Sequence, residues 1–153
     1  MIIRDTRVLI AIVILLFSVW ISLGEQDKEF SFRRNKMQFD DAESFCKNEG
    51  GIVYEPRNES VMEKVLNHAK KEGIQEFWLG VHDKSEEGNF VYASDETPIT
   101  LKNWNEGEPN IYGNEDDCVN VFDGFWHDLP CYGYPMAFVC VRNSSGTNFQ
   151  GIL

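Results

Sequence analysis

Basic residues are scarce: 14 Lys and Arg stand against 25 Asp and Glu, for a formal net charge of −11. So acidic a chain argues against polyanionic partners, nucleic acid and anionic membrane surfaces first among them. Catalytic signatures are missing as well. There is no G-x-S-x-G, H-E-x-x-H or P-loop, and the three histidines, His68, His82 and His127, have no nucleophile beside them in a recognisable pattern. His68 and His82 read as surface or packing residues, and the expectation is a binding protein, not an enzyme. Glycosidase-like carboxylate pairs can be drawn anywhere in so acidic a chain and carry no information. Neither C-x-x-C nor H-x-x-x-H accompanies the cysteines, which argues against a zinc finger. Between Phe30 and Arg142 there is no internal repeat, low-complexity tract or Gly/Ser linker, so one domain is expected from 153 residues. No Gly-X-Y repeat precedes it.

Long apolar runs are limited to the N-terminus. Arg4 and Arg7 precede an apolar run whose full extent, Val8 to Leu23, is 16 residues, short of the roughly 20 usual for a membrane span. Ser22 and Gly24 place small residues at the −3 and −1 positions of a cut after Gly24, so residues 1–24 read as a secretory signal peptide. The competing reading is a type II membrane anchor through residues 8–23. Removing 1–24 would leave a net charge of −12, since the segment carries two basic residues and one acidic. The folded domain is expected over 25–142, with no stable membrane insertion once the signal is cut, and a polar, flexible tail over 143–153. Cys46, Cys118, Cys131 and Cys140 are an even count in a secreted context, which implies two disulfides with three pairings open. Asn58-Glu59-Ser60 and Asn143-Ser144-Ser145 are glycosylation sequons that agree with export, with Asn58 and Asn143 as acceptors.

The first half of the domain reads as helical. Asp40 as N-cap with Glu43 three residues on, an apolar face of Ala42, Phe45 and Cys46, and Gly50-Gly51 as terminator predict a ten-residue helix. After Pro56, Ser60 through Glu63 suggests a capping box, and Met62, Val65, Leu66 and Ala69 repeat at i, i+3, i+4, i+7, the stripe of a helix packed on the core and closed by Gly73. From Phe77 onward the texture changes to short runs, Phe77–Val81, Phe90–Tyr92, Val119–Phe122 and Ala137–Val141, which read as strands. Ser94–Cys118 is instead a long polar interval, and long loops in compact domains are functional or disordered. Trp104 and Tyr112 favour a loop anchored by aromatics.

That loop sits in the most acidic part of the chain. Asp83–Asp128 holds twelve acids and two bases, so a cation is the expected counterweight. Glu108-Pro109-Asn110, Glu115-Asp116-Asp117, Asp123 and Trp126-His127-Asp128 offer the carboxylate and amide oxygens that a hard divalent ion such as calcium takes.

These residues, in this order, resemble a C-type lectin carbohydrate-recognition domain of the collectin kind. The resemblance rests on Trp78-Leu79-Gly80-Val81, Glu108-Pro109-Asn110, Asp117-Cys118, Trp126-x-Asp128 and the four cysteine positions. Phe39-Asp40-Asp41-Ala42, Glu55-Pro56-Arg57-Asn58 and Asn89-Phe90-Val91-Tyr92 extend it over about Phe30 to Val141. It implies an α+β fold with two helices flanking small antiparallel sheets and a long calcium-binding loop, and disulfides Cys46–Cys140 and Cys118–Cys131. It implies Ca2+ as cofactor, held by Glu108, Asn110, Asp116 (or Glu115, after a one-residue shift) and Asp128, with Pro109 in cis between two of these ligands. Two vicinal sugar hydroxyls would complete the calcium shell. Glu-Pro-Asn implies equatorial 3- and 4-hydroxyls, hence terminal mannose, N-acetylglucosamine or fucose on microbial or host glycans. Single sites of this kind are weak, which makes multivalent display and a homo-oligomer an expectation. An auxiliary ion would use Asp83, Glu87 and Asp117, with Ile111 where the family places a further aspartate, whereas Asp95, Glu96 and Glu106 read as solvated loop. One departure stands out: the family's Trp-Asn-Asp is Trp126-His127-Asp128, and imidazole is a poor partner for a hard ion. His127 can still donate to a sugar hydroxyl. The reading of another class is a calcium-independent protein-binding or structural module on the same fold.

Overall fold

Elements follow in the order β1 (Lys28–Met37), α1 (Phe39–Asn48), β2 (Ile52–Val53), α2 (Glu59–Lys71), β3 (Glu76–His82), β4 (Val91–Tyr92), β5 (Asp117–Phe122), β6 (Phe125–Pro130) and β7 (Met136–Asn143). They are seen in a computed structural model that describes residues 28–110 and 117–143, with Glu29–Arg142 as one compact unit. The strands join in the order β1-β7-β3-β5-β6, with β2 added to β7 and β4 to β3. β3 runs parallel to β7 and antiparallel to β4 and β5, while β5 and β6 form an antiparallel hairpin.

β3 is buried from Phe77 to His82, as its near-continuous apolar run requires of a strand covered on both faces. Its alternation sorts two cores. Phe77, Leu79 and Val81 meet Met62, Val65 and Ala69 of α2 together with Val119, Val121 and Trp126. Trp78 meets Phe39, Ala42 and Cys46 of α1 together with Phe138 and Cys118. The Cys46–Cys140 disulfide ties α1 to β7 across 94 residues, and Cys118–Cys131 closes the β5–β6 hairpin across 13.

Both helices appear, but not with the expected caps. α1 starts at Phe39 behind Gln38, which makes no side-chain cap, and Asp40 lies in the first turn. There it favours the helix dipole and pairs with Lys84 instead of capping. α2 is capped by Asn58, whose Oδ1 accepts from Val61 N (3.1 Å), while Ser60 Oγ donates to the same oxygen. Asn is as good an N-cap as Ser, so competition between adjacent candidates decided the boundary.

Strands β1, β2 and β6 were not expected. Phe30 and Phe32 begin an alternation in β1, but Arg33, Arg34 and Lys36 break it. Ion pairs to Glu49, Glu72 and Glu76 hold those side chains, and charge on an outer strand is the usual guard against further pairing.

Gly80 marks a close approach. A Cβ there would lie 2.7 Å from Val53 O and 3.0 Å from Glu55 Cγ. Gly80→Ala is therefore expected to cost about 1–3 kcal/mol as an overpacked core position. The urea midpoint should fall with an unchanged slope.

Candidate ion and ligand site

The segment after β4 is positioned from its root. Glu55 is buried, with Oε1 accepting from Ser94 N (2.7 Å) and Oε2 from the Arg57 guanidinium (2.9 Å). Arg57 also pairs with Asp95 at 2.8 Å and stacks on the Tyr92 ring at 4.0 Å. Its hydrogen bond, with those from Thr97, holds the Asp95 carboxyl down to about 2. Asp95 is exposed, as a solvated loop acid should be, and is also part of a clamp. The Tyr92 hydroxyl donates to Pro56 O and accepts from Thr100 N, both at 3.1 Å. Arg57→Ala would leave a buried carboxylate short of its partner and is expected to cost about 1–3 kcal/mol, measurable as a lowered midpoint in urea denaturation.

The chain then runs along the outer edge of β6. Trp126 N donates to Asn103 O (2.8 Å), Asn105 N to Trp126 O (2.9 Å), and Asn103 Nδ2 to Gly124 O (2.9 Å). Trp104 is held between Phe90 and Trp126, at centroid distances of 4.9 and 5.7 Å. This is the aromatic anchoring expected of Trp104; Tyr112 lies outside the described residues. A turn closed by Glu108 N to Asn105 O (3.0 Å), with Gly107 at φ +87°, delivers Glu108 against β6.

There the residues converge. The Glu108–Pro109 peptide is cis. Asn110 Nδ2 donates to Glu108 Oε2 (2.8 Å), Asn110 N donates to Asp128 Oδ1 (3.0 Å), and His127 Nδ1 lies 3.3 Å from Glu108 Oε1. Glu108, His127 and Asp128 are all largely shielded from solvent. Burial, then contact with the Asp128 carboxyl and its charge, push the Glu108 carboxyl upward, against the Asn110 amide and the His127 ring. Two carboxylates set side by side with an amide are a donor set that suits a divalent cation. Among the described residues no three His, Cys, Asp or Glu side chains form a ready-made metal cluster. Asp116, which the family resemblance assigns to the same ion, and Glu115, its alternative after a one-residue shift, lie outside those residues.

The auxiliary acids are less complete. Asp83 is buried and its Oδ2 accepts from Gly88 N (2.9 Å), which turns the Asp83–Gly88 segment back on itself. Glu87 is exposed in that turn. Asp117 contributes its backbone to β5, opposite Pro130, and Ile111 lies outside the described residues.

Asn120 escaped the sequence reading. It stands opposite His127 in the β5–β6 ladder, is 3% exposed, and its Oδ1 has no hydrogen-bond partner. The available signal was a lone amide within the apolar run Val119–Phe122.

Comparison with known proteins agrees with this architecture. Residues 35–142 match the family model described as the lectin C-type domain. Collectin-11 of Danio rerio is 31% identical over 114 residues, which are 74% of this chain and 42% of that protein; the chain thus spans less than half of that relative. The carbohydrate-recognition domain of cow CD23, crystallised in the presence of a GlcNAc2Man3 oligosaccharide, superposes with a TM-score of 0.68 at 27% identity, over 80% of this chain and 92% of that one. A calcium-independent type II antifreeze protein shares the fold with a TM-score of 0.65 at 24% identity, over 78% and 88% of the two chains. With residues 35–142 matched to that family model and with its helices, mixed sheet and two disulfides, the chain belongs to the C-type lectin domain family.

Proposed function

We propose that this protein is a secreted, calcium-dependent carbohydrate-binding lectin with mannose-type specificity, acting through binding and not catalysis. The observation that carries the reading is the convergence of Glu108 and Asn110, on either side of the cis proline, with Asp128 of β6. Glu108, Asn110, Asp128 and Asp116 would hold the ion, whose role is to accept two vicinal hydroxyls of the sugar. Around it Glu108 accepts and Asn110 donates hydrogen bonds to those hydroxyls, an order suited to terminal mannose, N-acetylglucosamine or fucose. A cation also relieves the contact between the Glu108 and Asp128 carboxyls. Asp83, Glu87 and Asp117 would hold an auxiliary ion.

Export is supported by the paired cysteines, since such bridges persist in oxidising compartments. Cleavage after Gly24 and glycans on Asn58 and Asn143 belong to the same proposal. Asn58 and Asn143 are exposed. Among the described residues no helix is long and apolar enough to cross a membrane.

A second reading, a calcium-independent protein-binding or structural module, draws on His127, which takes the place of a family amide and engages Glu108 directly. Ligand linkage separates the two. Calcium titration followed by tryptophan emission, with Trp126 two residues from Asp128, should saturate. Mannose should tighten the apparent calcium affinity, because a sugar bound through the ion must favour the ion's binding. A titration that mannose leaves unmoved would favour the second reading.

A further inference from the structure

We propose that the same site also takes zinc in competition with calcium, with Glu108 and His127 as protein donors and Asn120 as the acceptor that orients His127. The inference rests on the reading that Glu108 and Asp128 share a divalent cation and asks which cation the side chains present would choose. Imidazole nitrogen suits zinc and is seldom taken by calcium. His127 Nδ1 stands 3.3 Å from Glu108 Oε1. That is close to the separation of about 3.3–3.5 Å between two donors on a tetrahedral ion with bonds of 2.0–2.1 Å. Little rearrangement is needed for both to meet one zinc.

A second observation is independent of the acids. An imidazole that binds a metal through Nδ1 carries its proton on Nε2, and ligating histidines almost always donate that N–H to an oxygen that fixes the ring. Residues directly opposite in an antiparallel ladder project to the same face, and the one opposite His127 is Asn120. Its Oδ1 is buried and lacks a partner, so it is an acceptor awaiting a donor beside this ring. Phe122 projects to the same face, with its ring 6.0 Å from the imidazole, and limits the other orientations. Zinc closes its shell with fewer ligands than calcium and offers less room for a pair of sugar hydroxyls, so it would act as an inhibitor of sugar binding.

The test is calorimetric titration of chelator-stripped protein with zinc chloride and, separately, with calcium chloride. All arms carry His68→Gln, because His68 of α2 and Glu72, the residue that caps the C-terminus of that helix, lie 4.0 Å apart and form a rival surface pair. One zinc per chain is expected. His127→Asn should weaken zinc at least tenfold while holding or tightening calcium, and Asn120→Leu should weaken zinc about tenfold with calcium unchanged. Circular dichroism would verify that each variant is folded. Zinc affinity unchanged in His127→Asn overturns the proposal. Calcium binding without zinc binding also overturns it and leaves the calcium reading intact, whereas binding of neither ion overturns both.

Discussion

Replacing Cys46 and Cys140 together by alanine is expected to lower stability by about 4–5 kcal/mol, enough to leave most of the chain unfolded at 37 °C if the domain has ordinary stability. The bridge spans 94 residues and closes nearly the whole domain, and in the loop-entropy view the constraint it places on the unfolded chain grows with the logarithm of that span. Both sulfurs are also core atoms, packed with Phe39, Trp78 and Phe138, so truncation leaves space as well as freedom. Cys118–Cys131 spans only 13 residues, and its removal should cost nearer 3 kcal/mol. Its loss should be felt first in the β5–β6 hairpin, which carries His127 and Asp128. Urea denaturation of the two double variants, monitored by far-ultraviolet circular dichroism, measures the difference. Equal destabilisation by both would contradict the loop-length argument.

The second large effect concerns the ligand. Glu108→Gln with Asn110→Asp exchanges acceptor and donor on the two sides of Pro109 while keeping shape and volume nearly constant. The sugar-facing order is reversed, so retention on immobilised mannose should be lost and any remaining retention should move to galactose. A conservative pair of this kind should leave the free energy of unfolding within about 0.5 kcal/mol, since neither residue belongs to the packed core. Retention on mannose at the unaltered level would remove Glu108 and Asn110 from the binding role. A discrimination lost together with thermal stability would show only that the loop had come apart.

Much of the fold was legible because its signals are local or periodic. The stripe Met62, Val65, Leu66, Ala69 gives α2 and the run Phe77–Val81 gives the central strand, whereas the disulfide pairing that the structure contains came from the family resemblance and not from the cysteines alone. What was illegible depended on partners far away. β1 has too many cations to read as a strand, until Glu49, Glu72 and Glu76 are seen beside them. Asp95 looks like any loop acid until Arg57 is placed next to it. The site shows the same division. Glu108, Asn110 and Asp128 could be named from motif order, but their meeting depends on the segment 103–105 bonding along the edge of β6. The His127–Glu108 contact and the orphan Asn120 oxygen are tertiary facts with no sequence signal beyond an imidazole and an amide in unusual places.

The most direct measurement is retention of the purified protein on mannose beads in calcium buffer, followed by a wash with chelator. The expected result is retention in calcium and complete release when the ion is removed. Retention that chelator does not disturb, or no retention in either buffer, would contradict it and identify the chain as a calcium-independent module on the C-type lectin fold.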